Sequence, residues 1–257
     1  MSSNLCSSFR MLAFQTWDQL AQSRACGHQL LEETLTDLLC LHLKSRHANE
    51  VFTRTFTKPE EGKVGADWEW WFTGARRKSW LGFRVQAKVL ELRTLRYRHL
   101  HYYRKPRGYQ SNRLIRHARA VGAIPLYCLY SQWGGAPSPS WHCGSFGPCL
   151  ESYGCSLLPI SAVLRLRKAN KTDNLAAILP DAIPWHCLVC CEGYGTGDLP
   201  ARAWAFATAR GLTRANESAQ MKEEPPSYVE ALLRNELFEA PDEDLRAVTV
   251  FQEGGTV

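Results

Sequence analysis

The sequence predicts an α/β chain with a mixed central sheet flanked by helices, followed by a C-terminal extension. Three observations predict it. Leucines recur at helical spacing over residues 28–46, side chains alternate through three runs between residues 51 and 90, and a helical pattern over 110–121 leads into an apolar run at 124–130. At 257 residues and 45% hydrophobic content, the chain is long enough to bury a generous core.

Residues 1–27 read as a lead-in segment, and residues 28–131 as the core. In the first helix Leu31, Leu35, Leu38 and Leu39 define the apolar face. Residues 51–57 alternate Val51, Thr53, Thr55 and Thr57 with Phe52, Arg54 and Phe56, a strand pattern. A turn at residues 58–62 precedes a second strand, 64–72, in which Trp68, Trp70 and Phe72 point one way and Asp67, Glu69 and Trp71 the other. Residues 80–90 form a third strand, with Val85, Ala87 and Val89 opposite Gln86 and Lys88, and the two pair as a hairpin. Gly122 ends the helix over 110–121, and 124–130 is the next strand.

Residues 132–221 read as an extension packed on the core. It carries most of a Gly-, Pro-, Ser- and Cys-rich run at 131–159, a helix at 160–168, a strand at 185–191 and a helix at 199–210. Residues 222–257 read as an acidic end with a short helix at 228–237. Pro225-Pro226-Ser227-Tyr228 has the PPxY form that WW domains bind, but prolines ahead of a helix start explain it without a partner.

The net charge of +6 conceals a strong polarity. Residues 91–120 hold eight Arg and one Lys against Glu91 alone, whereas residues 222–257 set nine acids against three bases. A field of this kind favours polyanions at one region and repels them at the other. Arg93, Arg96, Arg98, Arg104, Lys105, Arg107 and Arg113, interleaved with Tyr97, Tyr102, Tyr103 and Tyr109, suit nucleic acid, since guanidinium groups pair with phosphates and rings stack on bases. An ordinary solvated loop and helix face is the plain alternative. Neither a spanning helix nor a signal peptide is visible, so the expectation is a soluble, cytoplasmic protein. Ten cysteines, unevenly spread, suggest reduced thiols, with or without a metal, rather than a disulfide framework.

Period two brings Asp67 and Glu69 to one face of their strand and Gln86 and Lys88 to one face of the next. Burying such a set is costly without ligands or partners. Phosphodiester hydrolysis uses a hard cation, oxygen ligands to hold it and a positive group near the attacking water. Asp67, the Gln86 side-chain oxygen and Lys88 can supply the protein's share. A solvated hairpin face is the competing reading.

Gly65-Ala66-Asp67 followed by Val85-Gln86-Ala87-Lys88 resembles the PD-(D/E)XK nuclease superfamily, and the glutamine variant is similar to its Mrr-like restriction endonucleases. The helix, three strands, helix, strand order resembles that superfamily's restriction-endonuclease-like αβββαβ core, over residues 30–130. The resemblance implies an Mg²⁺- or Mn²⁺-dependent endonuclease acting on DNA, with RNA not excluded, in restriction or defence against foreign DNA, as a homodimer or with a partner protein of a defence system. It implies Asp67 as metal ligand, Gln86 in the second acidic position, the Ala87 backbone carbonyl as a further ligand and Lys88 as the group that positions water. Gln86 removes one negative charge, for which Glu69 is a candidate substitute. The superfamily often adds a glutamate from its first helix. The apolar centre of that helix lies about 80° from Glu32 but about 180° from Glu33, so Glu32 is the fourth candidate catalytic residue.

His142, Cys143, Cys149, Cys155, His186, Cys187, Cys190 and Cys191 offer zinc ligands, but only Cys187-x-x-Cys190 has a familiar gap. Structural Zn²⁺ is therefore a subordinate expectation. Two further function classes remain open: a nucleic-acid-binding protein with the nuclease fold but no catalysis, and a cysteine-rich, zinc-stabilised interaction module.

Overall fold

The computed structural model describes residues 4–56, 67–141, 143–191, 197–213, 219–242 and 244–254, and Asp67 by its backbone alone. The expected turn at 58–62, Val64, Gly65, Ala66 and His142 lie outside the described residues. The chain opens with α1 (Leu5–Ala25), α2 (Glu32–Arg46), β1 (Val51–Thr55), β2 (Asp67–Thr73) and β3 (Trp80–Val89). A small hairpin, β4 (Tyr103–Arg104) with β5 (Gly108–Tyr109), leads into α3 (Gln110–Val121) and β6 (Ile124–Tyr130). Next come β7 (Cys155–Pro159), α4 (Ile160–Lys168), α5 (Leu175–Ile178), β8 (Ile183–Pro184) and α6 (Cys187–Cys190). Last are α7 (Leu199–Ala209), α8 (Ser227–Leu233) and β9 (Leu245–Gln252).

Seven strands form one mixed sheet in the order β1-β9-β2-β3-β6-β7-β8. β2 and β3 are the antiparallel hairpin expected from their alternation, and β3 runs parallel to β6 with α3 as the crossover. Gly122 ends α3 in the left-handed region at φ 68°, where glycine is favoured. On one face Trp68, Trp70, Phe72, Val85 and Ala87 pack against residues of α1, α2 and α7. On the other, the apolar packing divides in two. Trp71, Val248 and Val250 pack beneath α8, while Tyr127, Leu129 and Leu158 pack with residues of α3 and α4. Between these patches β3 turns Arg84, Gln86 and Lys88 inward, all buried.

Five expectations are corrected. Residues 1–27 carry a core helix rather than a lead-in. In α1, Phe9, Leu12, Ala13, Thr16, Trp17 and Leu20 follow one helical face and are buried. Asn4 caps this helix by accepting from Ser7 N at 2.9 Å. Gly154 permits the close approach of α1, because a Cβ there would stand 1.9 Å from the Ala13 carbonyl oxygen. The segment 131–159 ends in a strand, β7, paired with β6. Residues 185–191 contain the short helix α6 where a strand was expected.

The acidic end is not simply a helix and polar tail. β9 lies between β1, antiparallel, and β2, parallel, because Ala247, Val248, Thr249, Val250 and Phe251 bury both faces of a strand. Leu31, expected in the helix's apolar face, is instead the exposed residue preceding α2, while Leu35 and Leu39 are buried.

Candidate functional site

The hairpin register pairs Asp67 with Gln86 and Glu69 with Arg84, so these four positions share one face of the sheet. Lys88 follows Gln86 on that face. Gln86 and Lys88 are both buried, and Lys88 lies beside β6 in register with Leu129. Glu32, in the first turn of α2, reaches across the end of β3. One carboxylate oxygen lies 3.4 Å from Lys88 Nζ, and the other accepts from the Val89 backbone N–H at 3.4 Å. Both distances are long for charge-assisted bonds, so Glu32 is directed to this point without being tightly clamped. Glu33 turns away, with its carboxylate 3.8 Å from Arg246. Glu32 thus approaches Lys88 and Glu33 does not, and Leu31, counted in the apolar centre, is no part of the core.

Glu69, the candidate substitute ligand, is engaged elsewhere. It accepts from Trp71 Nε1 at 2.6 Å, from Arg84 Nη1 at 3.0 Å and from the Tyr228 hydroxyl. Arg84 also donates to Asp242 at 2.9 Å, and His117 on α3 stands 3.5 Å from the same Asp242 oxygen. Burial opposes the charge of Asp242, but the nearby His117 and the Arg84 guanidinium outweigh it and hold the carboxyl well below its ordinary range. Burial, and then Glu69, push the Tyr228 hydroxyl well above its ordinary value. Asp242 and Asp244, ahead of β9, are site neighbours that the sequence reading missed. Arg113 donates to Asp244 at 3.1 Å and is buried, so it braces this acidic segment instead of joining the expected nucleic-acid surface.

A family model described as "Family of unknown function (DUF6615)" matches residues 5–256. The chain belongs to DUF6615. Neither the curated proteins nor the solved structures contain a match to it. Among the described residues of the DUF6615 chain, no helix is long and apolar enough to cross a membrane.

The basic stretch of the DUF6615 chain follows directly from the Lys88 end of β3, and its base is held beside the start of α2, where Leu92 N donates to Gln29 Oε1 at 3.2 Å. Arg93, Arg96, Arg98, Arg104, Lys105 and Arg107 are exposed. Arg96 and Arg98 are ion-paired at 2.7 Å with Asp173 and Glu91. Tyr103 is exposed and meets Tyr109 edge-on, whereas Tyr97 is buried with its hydroxyl 2.6 Å from Ser131, so Tyr97 cannot stack on a base.

The cysteines of the DUF6615 chain gather in a way the spacings do not reveal. Ligand atoms of Cys143, His186 and Cys187 all lie within 4.8 Å of one another. Cys143 Sγ is 3.5 Å from His186 Nε2 and 4.0 Å from Cys191 Sγ. Hydrogen bonding to Cys187 lowers Cys143 to about 7 and Cys191 to about 5, and bonding to those two sulfurs together with burial pushes Cys187 far up. Burial, and then Arg10, lower His186 to about 4, which keeps its imidazole neutral. Cys149 instead donates to Glu151 at 2.8 Å, and Cys155 to Thr16 at 3.4 Å. Cys190 forms a disulfide with Cys6, which corrects the expectation of reduced thiols throughout. α1 and α6 bring their Cα atoms within 5.0 Å, inside the bonding range.

Proposed function

We propose that the chain is a metal-dependent nuclease that hydrolyses DNA phosphodiester bonds on the Asp67, Gln86, Lys88 and Glu32 face. The observation that carries this reading is a buried lysine, Lys88, facing Glu32 at 3.4 Å on a strand whose Gln86 is paired in register with Asp67. A lysine withdrawn from water is costly, and a functional charge at that point accounts for the cost. The helix, strand, hairpin, helix, strand order supports a restriction-endonuclease-like core, with β9 between β1 and β2 as an addition to that pattern.

The donor set fits a hard cation, since the Asp67 carboxylate, the Gln86 amide oxygen and the Ala87 backbone carbonyl all offer oxygen. Mg²⁺ or Mn²⁺ held there would offset phosphate charge and supply Lewis acidity. Glu32 keeps the Lys88 ammonium at the end of β3, where it can orient the attacking water and favour charge developing on phosphate oxygens. The exposed Arg93, Arg96, Arg98, Arg104, Lys105 and Arg107 provide a backbone-binding surface that continues from this end of the strand. A role in restriction or defence, and action as a homodimer or with a partner protein, belong to the same proposal by analogy with Mrr-like enzymes.

The test is plasmid and linear DNA incubated with the protein in Mg²⁺, Mn²⁺ or EDTA, beside Asp67→Ala and Lys88→Ala. Metal-dependent cutting lost at least 100-fold in both variants is expected. Cutting that persists in both overturns the site. DNA retention without cutting in any metal favours a catalytically inactive binding protein.

A further inference from the structure

We propose that Cys143, His186, Cys187 and Cys191 bind one structural zinc ion that fastens the irregular segment after β6 to α6. The site is separate from the proposed nuclease face and does not depend on that reading.

The ligand atoms of Cys143, His186 and Cys187 are gathered at one point before any ion is considered, with the Cys191 sulfur beside that of Cys143. With Zn–S near 2.3 Å and Zn–N near 2.0 Å, the edges of the tetrahedron are about 3.5 to 3.8 Å. The Cys143–His186 separation of 3.5 Å and the Cys143–Cys191 separation of 4.0 Å fall at or close to this range. Cys187 completes the compact group with Cys143 and His186. Cys187 and Cys191 are four residues apart across the single turn of α6, a spacing that brings both sulfurs to one side of the helix. Three thiols and an imidazole suit zinc better than magnesium or calcium, which prefer oxygen.

The surroundings are also built for thiolates. A zinc ion with three thiolates and a neutral imidazole carries one net negative charge. Arg10 of α1 lies over the Phe146 ring at 3.6 Å, and that ring stands 5.8 Å from His186, so a guanidinium is at hand to balance the charge. All four ligands are buried, as a closed structural site requires.

The need for such a site is local. From residue 131 to 149 the described chain forms neither helix nor strand, and it is rich in Gly, Pro and Ser. Ser145 Oγ reaches the Cys190 carbonyl at 2.9 Å, and four metal bonds at the same junction would supply the order that a hydrogen-bond ladder supplies elsewhere.

The test is metal analysis of the full chain, purified with a phosphine reductant and no chelator. One zinc per chain is expected, retained in Cys6→Ala and Cys40→Ser, which leave all four ligands intact, and in Asp67→Ala. Cys143→Ser and Cys187→Ser should each lose it. Should those variants fail to fold, the native chain reconstituted with Co²⁺ decides the matter. Intense visible bands of a tetrahedral site, with thiolate-to-cobalt charge transfer in the near ultraviolet, are expected. A weak octahedral spectrum, the absence of tightly bound zinc from native protein, or zinc retained in both serine variants overturns the proposal. Loss of DNA cutting in Asp67→Ala with zinc content unchanged keeps the two sites distinct.

Discussion

Glu32 at the start of α2 and Lys88 near the end of β3 approach to 3.4 Å, with the lysine side chain 1% and the glutamate side chain 14% exposed. Removing one partner of a buried pair leaves the other charge without compensation, at a cost of roughly 3 to 5 kcal/mol. Glu32→Ala should therefore lower unfolding free energy by about 3 kcal/mol. The double variant Glu32→Ala/Lys88→Met should be more stable than Glu32→Ala alone. Urea denaturation of the four proteins in a double-mutant cycle measures the coupling, and additive losses would show that the pair does not interact.

Arg84 joins Glu69 to Asp242. Its replacement by Met should leave two acids facing each other near α8, and the loss should reach about 3 kcal/mol or prevent soluble expression. Glu69→Gln should weaken the fold while leaving the Mg²⁺ or Mn²⁺ concentration dependence of DNA cutting unchanged. A marked shift in that dependence would return Glu69 to the metal site.

Asp242 gives the fold an acid sensitivity of known sign. Its folded carboxyl is depressed below the ordinary value by His117 and Arg84 against the effect of burial. The resulting stability is complete above the unfolded aspartate value near 4 and declines as pH falls through the depressed value. Melting temperature should drop steadily from about pH 5 downward. Asp242→Asn should be less stable at neutral pH and show a flatter profile; parallel profiles for the two proteins would contradict the assignment.

A charge on β9 should be as damaging as one in any central strand. Val248 is fully buried, and Val248→Asp should destabilise by more than about 3 kcal/mol, enough to abolish a cooperative thermal transition in a marginal fold. Circular dichroism melting reads the outcome. A transition close to that of the native chain would mean that β9 is dispensable.

If the basic stretch binds DNA through phosphates, Arg104→Ala/Lys105→Ala/Arg107→Ala should weaken binding for unrelated sequences alike. Each lost phosphate contact should reduce the salt dependence of log K by about 0.9. Filter binding across a salt series checks this, and an unchanged slope would remove the hairpin from the DNA surface.

Where the sequence is strongly periodic, the fold is legible in it. α3 and β6 match their patterns residue for residue, and the β2 and β3 alternation fixes which side chains share the candidate face. Arg84 has the same parity as Gln86 and Lys88, so its inward direction was available to the same reasoning. Its partner was not, because Asp242 is 158 residues away and only tertiary packing unites them. Helix α1 announces itself in the spacing of Phe9, Leu12, Ala13, Thr16, Trp17 and Leu20, a pattern hidden by its position in an expected lead-in. β9 was masked by the surrounding net negative charge, although Ala247, Val248, Thr249, Val250 and Phe251 form an unbroken strand-length run. The cysteine cluster combines one loop residue with three from a helical turn, and no spacing rule anticipates that union.

The order β1-β9-β2 also imposes a schedule on synthesis. Thr53 and Thr249, whose hydroxyls lie 2.7 Å apart, are separated by 196 residues. A ribosome therefore releases β1 long before its neighbour in the sheet exists, and the edge of β2 stays uncovered for the same interval. Such a chain emerges with unpaired strands awaiting a late insertion, so nascent polypeptides interrupted before β9 would be substrates for chaperones and proteases before they could become stable fragments.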